Sequence, residues 1–384
     1  MRKLLATPVN MDLSDAENAA YQNVLKYVAD LTLNLMAVKV EDRPSEFLAW
    51  CKELNDLCRT KLDLALLEPE QLLPLKKLQD VLEAAISAGQ LKLLRIAPWP
   101  VFCDYIEQQN ELQAVEERLR LVKFALTVQS TPLADMIEED RLAIAGKHMA
   151  KHDISNYDFD IEWFASTKAA KAFHTLLADF PAEFDTALNH IPLTGEVTKE
   201  QYLEFVEAFK HIFAQNDQKA PLAPATRLLA MRRPDQFVAL NNAKIDLYCQ
   251  GFGIAKFNSR DFNGYWSELI TSVRACSWWK QAEPENEDEK LLWQARAMLV
   301  DVFLYADETA AQNSNFIKMR EKPRKSSSKA IKRSKESVDV LVDRALQAEG
   351  IPSYLLEKRE SIIHQVKQGK SVDQVIKLLR TIFG

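Results

Sequence analysis

The chain contains little glycine, few cysteines and no long apolar run. Only nine of its 384 residues are glycine, and the strict apolar–polar alternation of half-buried strands is hard to find. Five scattered cysteines without a CxxC pair argue against a disulfide framework and a zinc knuckle. The sequence has no apolar run long enough for a membrane span, and its first apolar run is too short for a signal peptide. These absences favour a cytoplasmic protein that does not enter the membrane.

The signatures of several enzyme classes are also absent from the sequence. It contains no GxxxxGK[ST] or GxGxxG phosphate-binding loop and no GxSxG nucleophile elbow. The PD-ExK nuclease pattern requires strands, which the periodicity does not predict. We therefore expect no catalytic residue, no metal and no cofactor, and an enzyme is disfavoured.

Apolar residues at helical spacing recur along the whole chain and predict an all-α fold. Capping boxes predict helix starts at Ser14, Thr198 and Ser371. An aromatic stripe follows the second of these, formed by Tyr202, Phe205, Val206, Phe209 and Phe213. Further helices are predicted over residues 45–58, 72–86 (ending near Gly89), 107–128 and 290–305.

Breaks in this pattern predict four regions. We expect an N-terminal helical domain over residues 1–150 and a second helical domain over residues 151–315. A basic flexible linker over residues 316–337 would then lead to a small C-terminal unit over residues 338–384. That unit is predicted to contain three short helices, over residues 337–349, 353–367 and 371–382.

A strongly basic segment extends from Lys318 to Lys335. It carries nine cations and the single acid Glu321, so the rest of the chain sums to -6 - 8 = -14. Such a density of charge predicts a solvated segment that binds a polyanion, most simply nucleic acid. The alternative is a linker whose charge only maintains solubility. The cations are Lys318, Arg320, Lys322, Arg324, Lys325, Lys329, Lys332, Arg333 and Lys335.

The C-terminal string SIIHQVKQGKSVDQVIKLLR resembles the start of many bacterial helix-turn-helix domains. In those families a recognition helix follows, whereas this sequence ends at Gly384. The resemblance implies DNA rather than RNA as the ligand, and Lys370, Lys377 and Arg380 are suited to phosphate contact. The alternative is a helical bundle that docks a partner protein.

A distinctive segment begins at Pro221 and carries the motifs ATRLLAMRRPDQFV, GFGI, YW and WW. It resembles a segment of uncharacterised bacterial all-α proteins, to which no established activity attaches. Members of that group often carry Asp-Ser-Lys-Asn where this chain has residues 241–244, Asn-Asn-Ala-Lys, so the acid is lacking here. Pro234 should end a helix, and Asp235 could cap the next turn.

Two interpretations of this segment remain open. Its large aromatic residues fit a buried hydrophobic cluster. A pocket for a nucleotide or a stacked base is the alternative, and its candidate residues are Arg232, Arg233, Asn241, Asn242 and Lys244.

His148 and His152 are spaced four residues apart, so a helix would place both on one face as two potential metal ligands. The glutamate of the HExxH pattern is missing, and Lys147 and Lys151 flank the pair. Surface histidines are the simpler interpretation.

Taken together, these patterns predict a non-enzymatic nucleic-acid-binding accessory protein. The basic segment and the C-terminal unit would bind the phosphate backbone, and the acidic body could bind a protein partner. The resemblance implies a bacterial mobile-element or phage-defence system. One alternative is a protein-interaction adaptor, and another is a nucleotide-handling or nuclease-associated enzyme that uses residues 232–244.

Overall fold

A computed structural model describes residues 3–4, 11–31, 39–40, 43–62, 68–307, 309–321, 337–348 and 350–383. Strand pairing within these residues is confined to two short antiparallel strands, β1 (Lys3–Leu4) and β2 (Lys39–Val40). The remaining regular structure is helical, so the predicted all-α fold is confirmed.

We number the helices of eight or more residues in chain order. The first three are α1 (Asp15–Asp30), α2 (Phe47–Asp56) and α3 (Leu72–Leu94). The middle of the chain contains α4 (Trp99–Gln108), α5 (Val115–Val128), α6 (Glu138–Ala145), α7 (Lys171–Asp179), α8 (Pro181–Leu188), α9 (Lys199–Ala214), α10 (Leu222–Arg232), α11 (Ile245–Phe252) and α12 (Glu287–Gln294). The last three are α13 (Val338–Leu346), α14 (Arg359–Lys367) and α15 (Val372–Phe383).

Shorter helical segments connect these helices. Short α-helices are formed by Asn110–Gln113, Phe262–Gly264, Thr271–Arg274, Thr309–Gln312, Asn315–Arg320 and Ser353–Glu357. The 3₁₀ segments are Pro69–Gln71, Asn242–Lys244, Trp278–Lys280 and Met298–Phe303, and the π segments are Leu57–Lys61 and Tyr265–Ile270.

The chain divides into two units. Unit 1 contains Met1–Ile86 and Arg324–Gly384, and unit 2 contains Ser87–Pro323. This division differs from the boundaries expected from the sequence. Residue 150 lies inside unit 2, and the C-terminal helices belong to the same unit as the N-terminal ones.

Contacts made by α15 explain why the C-terminal helices belong to unit 1. Val375, Leu379 and Ile382 form the buried face of α15, and the helix contacts the π segment Leu57–Lys61. The buried Gln79 side chain of α3 also donates a hydrogen bond of 2.6 Å to the carbonyl of Ile382. The apolar face of α15 is therefore covered in part by N-terminal helical segments, which the local sequence pattern could not indicate.

The core of unit 2 is rich in aromatic residues. The predicted stripe on α9 is buried, and its Tyr202 hydroxyl donates to the carbonyl of Phe262 at 2.8 Å. The Tyr265 hydroxyl donates to Val238, and the Trp278 indole donates to Leu94. Phe237, Phe252, Trp266 and Trp278 are also buried. Most of the distinctive segment thus forms a hydrophobic cluster, in which the donors of Tyr265 and Trp278 are satisfied.

Two helix predictions were wrong because tertiary contacts outweigh local preference. Helix α3 continues through Gly89 to Leu94, since Leu91 and Leu94 extend its buried face. Burying two leucines gives about 3–6 kcal/mol, whereas a helical glycine costs about 1 kcal/mol. The helix expected over residues 107–128 is interrupted at Ala114, which has φ 49°. The buried Gln113 amide holds this break by donating to the carbonyls of Val302 and Leu304.

Two further predicted helices are also divided. In place of one helix over residues 290–305, α12 ends at Gln294 and a 3₁₀ segment begins at Met298. The amide of Met298 donates to the carbonyl of Pro234 at 3.0 Å, a bond outside the helix. The helix expected over residues 353–367 is divided at Lys358, whose side chain is buried and lies 5.5 Å from the Phe383 ring centre.

Arg227 on α10 is fully buried, and its guanidinium binds two other chain segments, residues 143–144 and 161–165. Its nitrogens donate to the carbonyls of Ala143, Ile144, Ile161, Trp163 and Ala165. Two of these carbonyls lie at the C-terminal end of α6, where the helix dipole favours a cation. Burial lowers the pKa of Arg227 to about 9, which leaves the group charged at neutral pH.

Candidate functional site

The Arg232–Asp235 motif lies at the end of α10. The helix ends at Arg232, as predicted from Pro234. Asp235 forms no cap, and instead its two carboxylate oxygens accept hydrogen bonds of 2.8 and 2.9 Å from the guanidinium of Arg233. Arg233 also donates to the carbonyls of Pro192 and Gly195. This buried pair closes a loop against the end of the helix.

The other members of the candidate pocket lie elsewhere. Arg232 donates to the carbonyls of Ile191 and Gln129, and burial lowers the pKa of its guanidinium. Asn241 starts the segment Asn242–Lys244 by accepting a bond from the amide of Ala243.

Lys244 belongs to a buried charged cluster. Its ammonium lies 2.6 Å from Asp301, which also accepts from Arg118 at 2.8 Å and from the Tyr248 hydroxyl at 3.2 Å. Burial alone would raise the pKa of the Asp301 carboxyl, but Lys244 and Arg118 lower it below its ordinary value. The five predicted pocket residues therefore do not form one site. Lys244 in particular pairs with Asp301 instead of lining a pocket with the others.

A cleft of about 550 Å³ opens in unit 2 beside the Arg233–Asp235 pair. We call it the arginine cleft. Its lining includes Arg233, Asp235, Gln236, Trp279, Trp293 and Arg296. Of the five residues proposed from the sequence, Arg233 alone lines this cleft.

Three residues of the lining belong to a series of alternating indoles and guanidiniums, which we call the Trp–Arg stack. Arg274 lies 4.8 Å from the ring centre of Trp266 and 5.8 Å from that of Trp279. Arg296 lies 4.6 Å from Trp279 and 4.1 Å from Trp293. Each guanidinium therefore has an indole on two sides, an arrangement that stabilises a desolvated cation.

Four of the five charged side chains that line the cleft have a close counterion. Arg233 and Asp235 pair with each other, Glu196 lies 3.0 Å from Arg274, and Glu283 lies 3.4 Å from Lys290. Arg296 is the exception, since its nearest described acid is Asp235 at 4.0 Å. Both oxygens of Asp235 already accept bonds from Arg233 and Gln236.

Arg296 is 5% exposed, yet it uses few of its hydrogen-bond donors. The one hydrogen bond of its side chain to a described residue joins Nη1 to the carbonyl of Trp293 at 2.7 Å, and its buried Nε has no acceptor among the described residues. Burial lowers the pKa of this guanidinium to about 10, so the group remains charged at neutral pH. Arg274, Arg296 and Trp293 were not predicted from the sequence, in which the three-residue spacing of Trp293 and Arg296 was the one local signal.

The histidine pair is not on a helix, which corrects the spacing argument. Helix α6 ends at Ala145, and Gly146 follows with φ 77°. His152 is buried and its ring nitrogens contact backbone groups of Met149 and Glu139. Across the described ranges, no group of three or more histidine, cysteine or acidic residues could hold a metal ion.

Three cations of the C-terminal helices are exposed, although Lys358 is buried. Lys370, Lys377 and Arg380, which we call the C-terminal basic face, lie in the turn before α15 and on its solvent side. Lys370 donates to Gln365 and Arg380 donates to the carbonyl of Gly350. No acid in the described part of the chain forms a salt bridge with any of the three.

The start of the basic segment is held on unit 2. Ser314 donates to Glu117 at 2.7 Å, and the Asn315 side chain donates to Asp160 at 3.0 Å. These bonds fix the short helix Asn315–Arg320, which exposes Lys318 and Arg320. The other predicted cations lie outside the described residues, namely Lys322, Arg324, Lys325, Lys329, Lys332, Arg333 and Lys335.

Comparison with known proteins gives no match to a protein-family model, to a curated protein or to a solved structure. No helix in the described ranges is both long and apolar enough to cross a membrane.

Proposed function

We propose that the protein binds nucleic acid through phosphate contacts made by the basic segment and the C-terminal basic face. The observation that carries this proposal is the division of α15 into two faces. Val375, Leu379 and Ile382 are buried, whereas Lys377 and Arg380 are exposed. Cations that no described acid neutralises can replace the counterions of a phosphate backbone.

The charge of the basic segment supports the same function. Its net charge of +8 contrasts with -14 for the rest of the chain. An acidic body repels nucleic acid, so binding would be directed to the basic segment and the C-terminal helices. We place the protein in the cytoplasm, since its five cysteines are free thiols and four of them are buried.

The test is a salt titration of the full-length chain with a short DNA duplex and with single-stranded DNA and RNA of the same length. Replacing Lys370, Lys377 and Arg380 with glutamine should weaken duplex binding. It should also reduce the slope of log K against log salt by up to about 2.7, or about 0.9 for each lost phosphate contact. A second variant replaces the cations of residues 322–335 with glutamine and should reduce the slope further.

A matched control replaces three exposed lysines of unit 2, Lys171, Lys199 and Lys219, with glutamine. This variant carries the same change of net charge and should keep most of the native slope. If the control and the C-terminal variant lower the slope equally, binding depends on overall charge and the proposed interface is wrong. If the native chain binds none of the three nucleic acids at low salt, the function itself is wrong.

A protein-docking adaptor is the second candidate, and one observation favours it. The C-terminal helices expose the large apolar side chains Val340, Leu341 and Leu356, at 47%, 40% and 53%. Changing Leu341 and Leu356 to serine should leave the salt slope for nucleic acid unchanged. If that variant instead loses a protein partner captured by the native chain, while neither chain binds nucleic acid, the adaptor function replaces the first proposal.

A further inference from the structure

The arginine cleft points to a small-molecule function separate from nucleic-acid binding. We propose that it binds a small acid in which a phosphate or a carboxylate is attached to a planar ring. Arg296 would bind the oxyanion, and Trp279 and Trp293 would contact the ring. This site lies entirely in unit 2 and uses no residue of the basic segment or of the C-terminal basic face.

The oxyanion is inferred from the unused donors of Arg296. A guanidinium has five N–H groups, and here one of them donates to a described acceptor, the carbonyl of Trp293. The indoles of Trp279 and Trp293 lie beside the group, and Arg296 lines the cleft together with both tryptophans. A planar donor edge of this kind suits a phosphate or a carboxylate.

The local charge balance leads to the same ligand. Arg233 and Arg274 have their own acids, Asp235 and Glu196. Arg296 adds a third positive charge to this part of unit 2, and its nearest described acid is 4.0 Å away. A buried cation is costly without a partner, and a bound anion would supply that partner.

The size and the walls of the cleft suggest the rest of the ligand. Its volume of about 550 Å³ lies within the range of sites for small molecules. Trp279 and Trp293 are half-buried and line it, so each keeps some indole surface accessible. A flat ring attached to the oxyanion would bury this surface.

The experiment is isothermal titration calorimetry of the full-length chain with four probes. AMP and benzoate combine a ring with an oxyanion, adenosine has the ring alone, and inorganic phosphate has the oxyanion alone. At least one of the first two should saturate with a Kd of about 1 mM or lower, and at least about tenfold more tightly than adenosine and phosphate. AMP against benzoate distinguishes phosphate from carboxylate recognition.

Two variants of Arg296 test its role. Arg296→Gln removes the charge and should weaken binding of the probe at least about tenfold. Arg296→Lys keeps the charge without the planar donor edge and should weaken binding less. The matched control is Arg260→Gln, an exposed arginine of unit 2 outside the cleft. This control should bind the probe as tightly as the native chain does.

Circular dichroism of each variant shows whether it is folded. If Arg296→Gln does not fold, the Lys variant decides the result. The proposal is overturned if neither AMP nor benzoate saturates at about 20 mM. It is also overturned if every folded Arg296 variant binds the probe as tightly as the native chain does. Failure of this test leaves the nucleic-acid titrations unaffected, because those depend on different residues.

Discussion

Two groups of cations differ in how their charge is compensated. The first is the arginines buried in unit 2, and the second is the cations on the C-terminal helices of unit 1. Arg227 and Arg233 are buried, with their donors directed at carbonyl and carboxylate oxygens. Lys377 and Arg380 are exposed and have no paired acid among the described residues. The first group connects chain segments, because desolvation requires that its donors be satisfied. The second group is free to bind an external anion.

Arg296 belongs to neither group. It is as buried as the structural arginines, but its donors are nearly as unused as those of the exposed cations. Burial with unused donors lowers the stability of the folded chain. Arg296 is therefore the arginine at which a bound anion would stabilise the protein most. The difference between Arg296 and Arg227 can be measured directly.

The largest effect is expected for Arg227→Met. The substitution removes one hydrogen-bond donor from each of five backbone carbonyls, and we expect a loss of about 4 kcal/mol or more in the free energy of unfolding. Urea titration followed by tryptophan fluorescence measures it, since six of the seven tryptophans lie in unit 2. The control Arg260→Met should change stability by less than about 0.5 kcal/mol. A loss below about 1 kcal/mol for Arg227→Met would contradict a structural role.

A somewhat smaller loss, about 3 kcal/mol at neutral pH, is expected for Asp301→Asn. The substitution leaves Arg118 and Lys244 without their shared carboxylate. Because the pKa of Asp301 is below its ordinary value of 3.8 in the folded chain, the unfolded chain takes up this proton first as the pH falls. The stabilisation is therefore present above pH 3.8 and is lost as the pH falls through the folded value.

The pH dependence provides the check on this prediction. The difference in stability between the native chain and Asp301→Asn should be constant at neutral pH and should narrow below pH 3.8. Urea titrations at a series of pH values measure this difference. If this difference in stability is the same at every pH, the charge of the Asp301 carboxylate does not stabilise the fold.

The smallest effect is expected for Arg296→Met. Two cation–π contacts of about 0.5–2 kcal/mol each are lost, but the cost of burying a charge whose nearest described acid is 4.0 Å away is removed at the same time. We expect the free energy of unfolding to remain within about 1 kcal/mol of the native value. A loss as large as that of Arg227→Met would place Arg296 among the structural arginines and remove the main argument for a ligand.

Local features of the fold could be predicted from the sequence. The capping boxes that begin with Ser14, Thr198 and Ser371 all form, because they depend on residues only three positions apart. The end of α10 at Arg232 follows from the fixed geometry of Pro234. Helix interruptions at Ala114 and Lys358 depend on distant partners, so the periodicity of the sequence did not indicate them.

The candidate site was predicted less well. Arg233 lines the cleft, as expected of a pocket residue. Lys244 was assigned to a pocket because its partner Asp301 lies far along the chain and could not be recognised from the sequence. Arg274 and Arg296 were missed because a stack of alternating side chains forms only after three segments have folded together. A charged residue in the sequence does not reveal whether the fold supplies its counterion.

The Trp–Arg stack has an experimental consequence. Trp279 and Trp293 line the cleft and lie next to a guanidinium whose charge a bound anion would offset. The chain therefore contains its own optical reporter. Libraries of small acids could be screened on the unlabelled protein, with Trp279→Phe and Trp293→Phe identifying which indole responds.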